Sequence, residues 1–273
     1  MDGSPVGSPA PVIATVGLRR MYGSLAAVDD LNITVQPGEI FGLLGPNGAG
    51  KSTTIKMLTT LLPPSAGSAR VAGFDVVAQA PEVRRRIGYV PQLLSADGGL
   101  TGRENLTLSA KLYRIPREER RRRIADVLAF MDLDAAADHL VRTYSGGMIR
   151  RLELAQAMLH RPVVLFLDEP TIGLDPVARL AVWERLRELK GESGTTILLS
   201  THDMEEADEL CDRLAVMHQG SVGLLGAPDD LKAAIGPEAT LADVFIRSVG
   251  GSIDQGGTYR DTSRLRSALR RRG

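Results

Sequence analysis

The residues whose types and spacing are most clearly suited to binding chemistry form a glycine-rich loop between an apolar run and a predicted helix. The segment from Gly45 to Ser52 fits the pattern G-x-x-x-x-G-K-[ST]. Backbone N–H groups of such a loop and the start of the following helix point at phosphate oxygens. The alternative, a glycine-rich turn with a chance lysine, is disfavoured by the flanking strand and helix. The predicted cradle residues are Gly45, Pro46, Asn47, Gly48, Ala49, Gly50, Lys51, Ser52 and Thr53.

Two acidic residues end the apolar run 163–167. Adjacent strand residues point to opposite faces, so Asp168 and Glu169 should have different roles. Asp168 suits Mg²⁺, directly or through water, together with the hydroxyl of Ser52. Glu169 could accept a proton from, or orient, a water that attacks the γ-phosphate, while Lys51 should reach the β- and γ-phosphates. The alternative is two solvated acids at a strand end, which is less favoured when a phosphate loop lies upstream.

Alternating strands and helices should position these groups. Apolar strands that alternate with helices predict a mainly parallel sheet covered on both faces. Residues 100–159 instead indicate successive helices with arginine-rich faces, which predicts a helical insert. The predicted strands are 12–16, 31–35, 40–44, 70–72, 87–90, 163–167 and 195–200, with a hairpin at 214–217 and 221–224, and the predicted helices of the core are 51–62, 176–189 and 204–212, the last capped by Asp203.

Composition limits the classes of function. The chain has 273 residues with 33 basic and 33 acidic side chains, so no net charge would attract nucleic acid or an anionic membrane. Its single cysteine, Cys211, excludes an intrachain disulfide and fits a reducing, cytoplasmic setting. The N-terminus does not read as a secretory signal. The longest wholly apolar run has five residues, whereas a membrane helix needs roughly 20. Any membrane spans should therefore belong to another protein.

A second glycine-containing motif narrows the field. Residues 144–148 read Tyr-Ser-Gly-Gly-Met directly before a predicted amphipathic helix. This motif resembles the signature sequence of ATP-binding-cassette (ABC) ATPases. Other elements of that family follow in the expected order over about residues 12–231. Tyr22 resembles the aromatic residue that stacks on adenine, Gln92 the Q-loop glutamine, Asp175 the D-loop aspartate and His202 the switch histidine.

The resemblance implies a fold and a domain organisation. The fold expected is α/β, with a P-loop NTPase (RecA-like) core, a small antiparallel β subdomain and an inserted helical subdomain at about 93–160. The implied boundaries are a flexible N-terminus at 1–11, an ABC ATPase domain at 12–225, a C-terminal extension at 226–250 and a disordered basic tail at 251–273.

The resemblance also implies cofactors, partners and roles. ATP and Mg²⁺ would be the cofactors, with Ser52, Gln92 and Asp168 at the metal. In the family, the signature of one subunit closes on the ATP held by the other, so two copies should pair head to tail. The partner expected is a separate multi-span permease at the cytoplasmic face of the membrane, where this chain would be peripheral, and no nucleic acid is expected. The residues implied for catalysis are Glu169, His202 and Gln92, and those implied for the partner's nucleotide or the subunit contact are Ser145, Gly146, Gly147 and Asp175.

Departures from the common signature point to a subfamily. Tyr144 stands where leucine is usual, and Met148 stands where glutamine is usual and supplies no side-chain amide. This variant resembles the ATPases of drug- and antibiotic-resistance efflux pumps of the daunorubicin type, as do residues 88–92 and 242–245. We therefore expect an exporter of drug-like or amphipathic compounds. The alternatives are an importer ATPase or a soluble ABC protein acting on ribosomes or DNA; the latter resemble chains with two cassettes or a long coiled-coil insert.

Overall fold

A computed structural model describes residues 10–253, without the side chains of 192, 193 and 249–253. One sheet is antiparallel and has the order β2-β1-β5-β6, with β3 paired to β1; the other has the order β11-β10-β4-β9-β8-β7 and is parallel except for β11. The strands are β1 (Ile13–Tyr22), β2 (Leu25–Leu31), β3 (Thr34–Val35), β4 (Ile40–Leu44), β5 (Ala66–Val71), β6 (Phe74–Asp75), β7 (Ile87–Val90), β8 (Val164–Asp168), β9 (Thr196–Thr201), β10 (Arg213–His218) and β11 (Ser221–Gly226).

The helices fall into a core group and an inserted group. The insert lies between β7 and β8 and contains α3, α4 and α5 with two short 3-10 turns, 134–136 and 141–143. The helices are α1 (Lys51–Leu58), α2 (Ala80–Arg84), α3 (Gly102–Leu112), α4 (Arg117–Phe130), α5 (Gly146–Met158), α6 (Pro176–Ser193), α7 (Met204–Leu210), α8 (Pro228–Ala233) and α9 (Leu241–Ile253). The predicted combination of an α/β core, an antiparallel subdomain and a helical insert is confirmed. The predicted domain boundaries stay predictions.

The parallel sheet separates two hydrophobic cores. Every residue of β4 and β8 is buried, and successive side chains enter opposite layers. Phe41 and Phe166 pack toward the antiparallel sheet and α1, whereas Leu44 and Leu167 pack toward α5, α6 and the insert. A strand covered on both faces has no polar alternation. This explains why these two strands read as uninterrupted apolar runs.

Several predicted elements differ in extent from the observed ones. The predicted strand 31–35 is wrong as a single element, because β2 ends at Leu31 and only Thr34–Val35 pairs with β1 as β3. The sequence pattern does not predict the strand β2, because two consecutive acids, Asp29 and Asp30, separate its buried residues Val28 and Leu31. The helix α1 ends at Leu58 rather than 62, because Thr60 adopts a left-handed backbone, φ 64°, and turns the chain.

The C-terminal part of the described chain adds two helices to the core. Leu241 and Val244 of α9 are buried in the same cluster as the α7 residue Leu210. The helix ends at Ile253 and so includes the first three residues of the tail predicted to be disordered. The remainder of that tail, 254–273, and residues 1–9 of the predicted flexible N-terminus lie outside the described residues. Within residues 10–253, no helix combines the length and apolar character needed to cross a membrane.

Candidate nucleotide site

The glycine loop joins β4 to α1 and lines an open cavity of about 850 Å³. The loop lies tight against β10, since a Cβ on Gly45 would come within 2.3 Å of the carbonyl oxygen of Met217. Gly50 caps α1 with φ 102°, where a Cβ would lie 2.5 Å from the oxygen of Ala27. Both positions therefore require glycine. The cavity is lined by Leu25, Ala26, Ala27, Asn47, Gly48, Ala49, Gly50, Lys51, Ser52, Thr53, Gln92, Glu169 and Gln219.

Lys51 holds the loop closed around its own ammonium group. The side chain is only 4% exposed, and its Nζ donates to the carbonyl oxygens of Gly45 at 2.8 Å and Pro46 at 3.2 Å. The same Nζ lies 3.3 Å from Oε1 of Glu169. A buried ammonium needs such partners because burial without them is strongly unfavourable. The cradle thus presents one cation and the N-terminus of α1 to the cavity, a combination suited to phosphate.

Asp168 gathers two hydroxyl groups at the end of β8. Its Oδ1 accepts from Ser52 Oγ at 2.8 Å and from Ser200 Oγ at 2.6 Å. The carboxyl is 3% exposed. Burial of the Tyr89 side chain and, as a smaller contribution, the negative charge of Asp168 raise the pKa of Tyr89 to about 12. A carboxylate and a serine hydroxyl at the edge of a phosphate cradle form the oxygen donor set that Mg²⁺ prefers, so these residues fit the expected metal.

Glu169 brings the predicted catalytic residues together. The residue has a left-handed backbone, φ 49°, and its N–H donates to both the carbonyl and the hydroxyl of Ser200 at 3.1 Å. Its Oε2 accepts from Gln92 Nε2 at 3.3 Å. Its Oε1 lies 3.3 Å from Lys51 Nζ and 3.3 Å from His202 Nδ1. One carboxylate therefore connects the glycine loop, the Gln92 segment and the end of β9.

The signature residues lie away from this cavity. Ser145 caps α5 by accepting from the N–H of Met148 at 3.2 Å, and it is exposed, as is Gly146. Gly147 is buried against α6, where a Cβ would lie 2.7 Å from the Cβ of Ala178. None of the predicted signature glycines lines the cavity of this chain. The expected second anion site therefore faces outward from its own cradle.

Two further predicted residues also stay outside the cavity. Asp175 caps α6, accepting from the backbone N–H groups of Val177 and Ala178 at 3.0 Å. Tyr22 ends β1 and is 48% exposed, with the guanidinium of Arg20 4.9 Å above its ring. The hairpin that follows Tyr22 supplies the cavity residues 25–27. The structure thus assembles the cradle, Asp168, Glu169, Gln92 and His202, but not Tyr22, Asp175 or the signature.

Comparison with known proteins decides the family. The family model described as ABC transporter matches residues 28–172. The chain is 47% identical over 228 residues to the daunorubicin/doxorubicin resistance ATP-binding protein DrrA of Streptomyces peucetius, spanning 84% of this chain and 69% of that protein. It is 45% identical to the Nod factor export ATP-binding protein I of Ralstonia nicotianae, over 84% of this chain and 71% of that protein. This chain belongs to the ABC transporter family.

Solved structures agree with this assignment. An ATP-binding subunit of an ABC transporter superposes on the ABC chain with a TM-score of 0.78 at 32% identity, over 87% of this chain and 99% of that one. A dimeric ATP-binding cassette bound to ADP and phosphate in a post-hydrolysis state gives 0.70 at 27% identity, over 79% and 98%. The predicted fold class and resemblance are confirmed. The chain is an ATP-hydrolysing subunit of an ABC transporter.

No sequence pattern of the ABC chain indicates the roles of two polar residues, Ser200 and Glu206. Ser200 is the penultimate residue of β9, and nothing in the sequence shows that it lies opposite Asp168 in the neighbouring strand. Glu206 is buried beneath the His202 segment, where its Oε1 accepts from Thr171 Oγ1 at 2.6 Å and Trp183 Nε1 at 3.0 Å. Burial raises the pKa of Glu206 above its usual range. An acidic residue in the first turn of a helix usually indicates a solvated position.

Proposed function

We propose that this ABC subunit uses MgATP to drive export of drug-like or other amphipathic compounds through a separate membrane permease. One observation carries the hydrolytic part: a single buried carboxylate, Glu169, contacts Lys51, Gln92 and His202 from three different segments. The direction of transport is supported by the names of the relatives, which refer to drug resistance and to Nod factor export. In this proposal the protein is peripheral, at the cytoplasmic face of the membrane.

The contacts in the cradle indicate how the chain would handle a nucleotide. Lys51 donates to loop carbonyls and lies beside Glu169, and phosphate oxygens would replace these partners. Ser52 and Asp168 would hold Mg²⁺, which neutralises phosphate charge. Glu169, released from Lys51, would orient or deprotonate the attacking water, while Gln92 stays in contact with its Oε2. His202 would then donate to the terminal phosphate rather than lie beside Glu169.

A head-to-tail dimer would complete each site. Ser145 and Gly146 are exposed at the start of a 13-residue helix, whose first N–H groups form an anion site. The cavity beside Lys51 is open, so a second copy could place this helix start against the same phosphates. Asp175 lies exposed at the start of α6, which packs against α5 next to the signature. Tyr22 directly precedes the hairpin whose residues 25–27 line the cavity, so it would reach the adenine together with that hairpin.

The variant Glu169→Gln tests the proposal. It removes the acceptor charge and keeps the side-chain shape, so nucleotide should still bind while hydrolysis stops. The expected result is a dimer in gel filtration with ATP and Mg²⁺ that still contains unhydrolysed ATP. Wild-type turnover in this variant would overturn the role of Glu169.

The transport part of the proposal needs its own experiment. Fractionation should recover the chain with a multi-span membrane protein. Vesicles that contain this pair should move a fluorescent amphipathic drug out of the compartment that holds the ATPase. Uptake in the opposite direction would favour the importer alternative. Recovery with ribosomes would favour the soluble ABC class.

A further inference from the structure

A buried ion pair on α5 holds the segment that carries Gln92. Arg150 and Glu153 lie one helical turn apart, with Nη1 and Oε2 separated by 3.0 Å, and each side chain is 2% exposed. The helix that carries them begins with the signature residues 146 and 147. Neither charged residue belongs to the motifs that bind or hydrolyse nucleotide, so their burial needs a separate explanation.

The guanidinium of Arg150 donates hydrogen bonds to two successive backbone carbonyl groups. Its Nη1 donates to the carbonyl oxygen of Pro91 at 2.8 Å, and its Nη2 donates to that of Gln92 at 3.0 Å. The side-chain amide of the same Gln92 donates to Oε2 of Glu169 at 3.3 Å. A planar guanidinium binds two acceptors in a fixed geometry. Arg150 is therefore linked through one residue to the carboxylate of the hydrolytic site.

Glu153 holds the other end of the segment. Its Oε1 accepts from the backbone N–H of Ser95 and from Ser95 Oγ at 3.1 Å. Between the two anchored ends, Leu93 and Leu94 are 82% and 52% exposed. In the part of the chain that the structure describes, the hydrogen bonds of residues 91–95 go to this ion pair, apart from the one between Gln92 and Glu169. The ion pair thus fixes the position of Gln92.

We propose that Arg150 and Glu153 are positioning residues that couple the two ATP sites of the dimer. The inference rests on the proposed head-to-tail arrangement. In that dimer the start of α5 contacts the partner's nucleotide, while Gln92 serves the nucleotide of its own chain. Because the ion pair ties Gln92 to α5, a shift of the helix onto one nucleotide moves the glutamine at the other. Each site thereby senses whether its neighbour is filled.

A matched set of variants separates coupling from simple stabilisation. Removing one charge would leave the other buried and unpaired, so Arg150→Met and Glu153→Met are combined in one chain. The control is Arg151→Met, because Arg151 lies next to Arg150 but donates to the oxygen of Met131 at 2.9 Å and has its ion-pair partner in Asp132 rather than in Glu153. Arg150→Lys keeps the charge balance and replaces the two-pronged donor by a single ammonium group. It serves if the double variant does not fold.

The experiment measures ATPase rate against ATP concentration for the full chain, with nucleotide affinity measured separately by binding of a fluorescent ATP analogue. The wild type should show a Hill coefficient above 1 and at most 2, because the dimer has two ATP sites. In the double variant, kcat should fall about tenfold to a hundredfold and the Hill coefficient should approach 1, since small misplacement of a positioned group has effects of this size. Analogue affinity should stay within about twofold, because the cradle is unchanged. The Arg151→Met control should match the wild type in all three quantities.

Each other outcome is decisive. A folded double variant with the wild-type Hill coefficient overturns the coupling whatever its kcat, and so does a wild-type Hill coefficient of 1. If Arg150→Lys is the variant that folds, an unchanged Hill coefficient overturns it as well. Failure of the proposed function is seen elsewhere: Glu169→Gln then forms no ATP-bound dimer. A trapped dimer together with an unaffected double variant removes only the coupling.

Discussion

The contact between the signature helix and α6 allows a stability prediction from a pair of adjacent glycines. A methyl group on Gly147 would lie 2.7 Å from the Cβ of Ala178. Real Cβ atoms essentially never come so close to another heavy atom. A methyl group on Gly146 would meet Leu174 Cδ2 at 3.6 Å, an ordinary contact. Both positions lie in the first turn of α5. The two variants therefore share backbone effects and differ in packing.

The expected free energies of unfolding follow from this difference. Overpacking costs about 1–3 kcal/mol, and the better helix propensity of alanine offsets up to about 1 kcal/mol, so Gly147→Ala should destabilise by up to about 3 kcal/mol. Gly146→Ala keeps only the propensity gain and should be neutral or stabilising by up to about 1 kcal/mol. Combining Gly147→Ala with Ala178→Gly removes the close methyl pair. The double variant should then be more stable than the sum of the two single changes predicts.

Urea unfolding followed by circular dichroism measures the four variants and the wild type under one set of conditions. The reasoning requires Gly147→Ala to unfold at lower urea than Gly146→Ala, and it requires positive coupling with Ala178→Gly. If the two glycine variants unfold at the same urea concentration, the helices separate freely and the contact does not restrict residue 147. Additivity of the double variant would lead to the same conclusion.

Two further predictions concern the polar residues that the sequence did not reveal. Ser200→Ala removes a 2.6 Å hydrogen bond to a buried charge, so it should lower the free energy of unfolding by about 1.5–3 kcal/mol and raise the Mg²⁺ concentration needed for half-maximal ATPase; an unchanged Mg²⁺ dependence would refute a role in orienting Asp168. Burial raises the pKa of Glu206 above its usual value of 4.5, so the folded state binds this proton more tightly and wild-type stability falls as pH rises above about 4.5. The variant Glu206→Gln removes this loss, so it should gain stability relative to the wild type between pH 4.5 and neutrality, as measured by urea unfolding across pH. A constant difference across that range, or the same trend in the exposed control Glu205→Gln, would contradict the assignment.

The cradle could be predicted from sequence because its geometry is local. A glycine loop between a buried strand and a helix fixes where Lys51 and Ser52 point, and the end of a second apolar strand fixes Asp168. The meeting of Glu169 with Gln92 and His202 required the family resemblance, since those segments are far apart in the chain. Spacing alone carries no information about such contacts.

The residues that were missed depend on tertiary structure. Ser200 meets Asp168 only because β9 lies beside β8 in the sheet order, which the sequence does not state. Glu206 is buried by Trp183 and Thr171, which come from other elements. The strand β2 buries only Val28 and Leu31 and has two consecutive acids between them, so its apolar pattern is weak. In each case the deciding neighbour is distant in sequence.

The ion pair between Lys51 and Glu169 has a consequence for the affinity of the site for nucleotide. The carboxylate occupies the place beside the lysine that a phosphate oxygen would take, at 3.3 Å, in a setting where both side chains are almost fully enclosed. If Lys51 binds phosphate as proposed, the nucleotide must replace this carboxylate, and the loss of the ion pair is subtracted from the binding free energy. In the chain without nucleotide, the positive charge of Lys51 is thus balanced by an internal carboxylate.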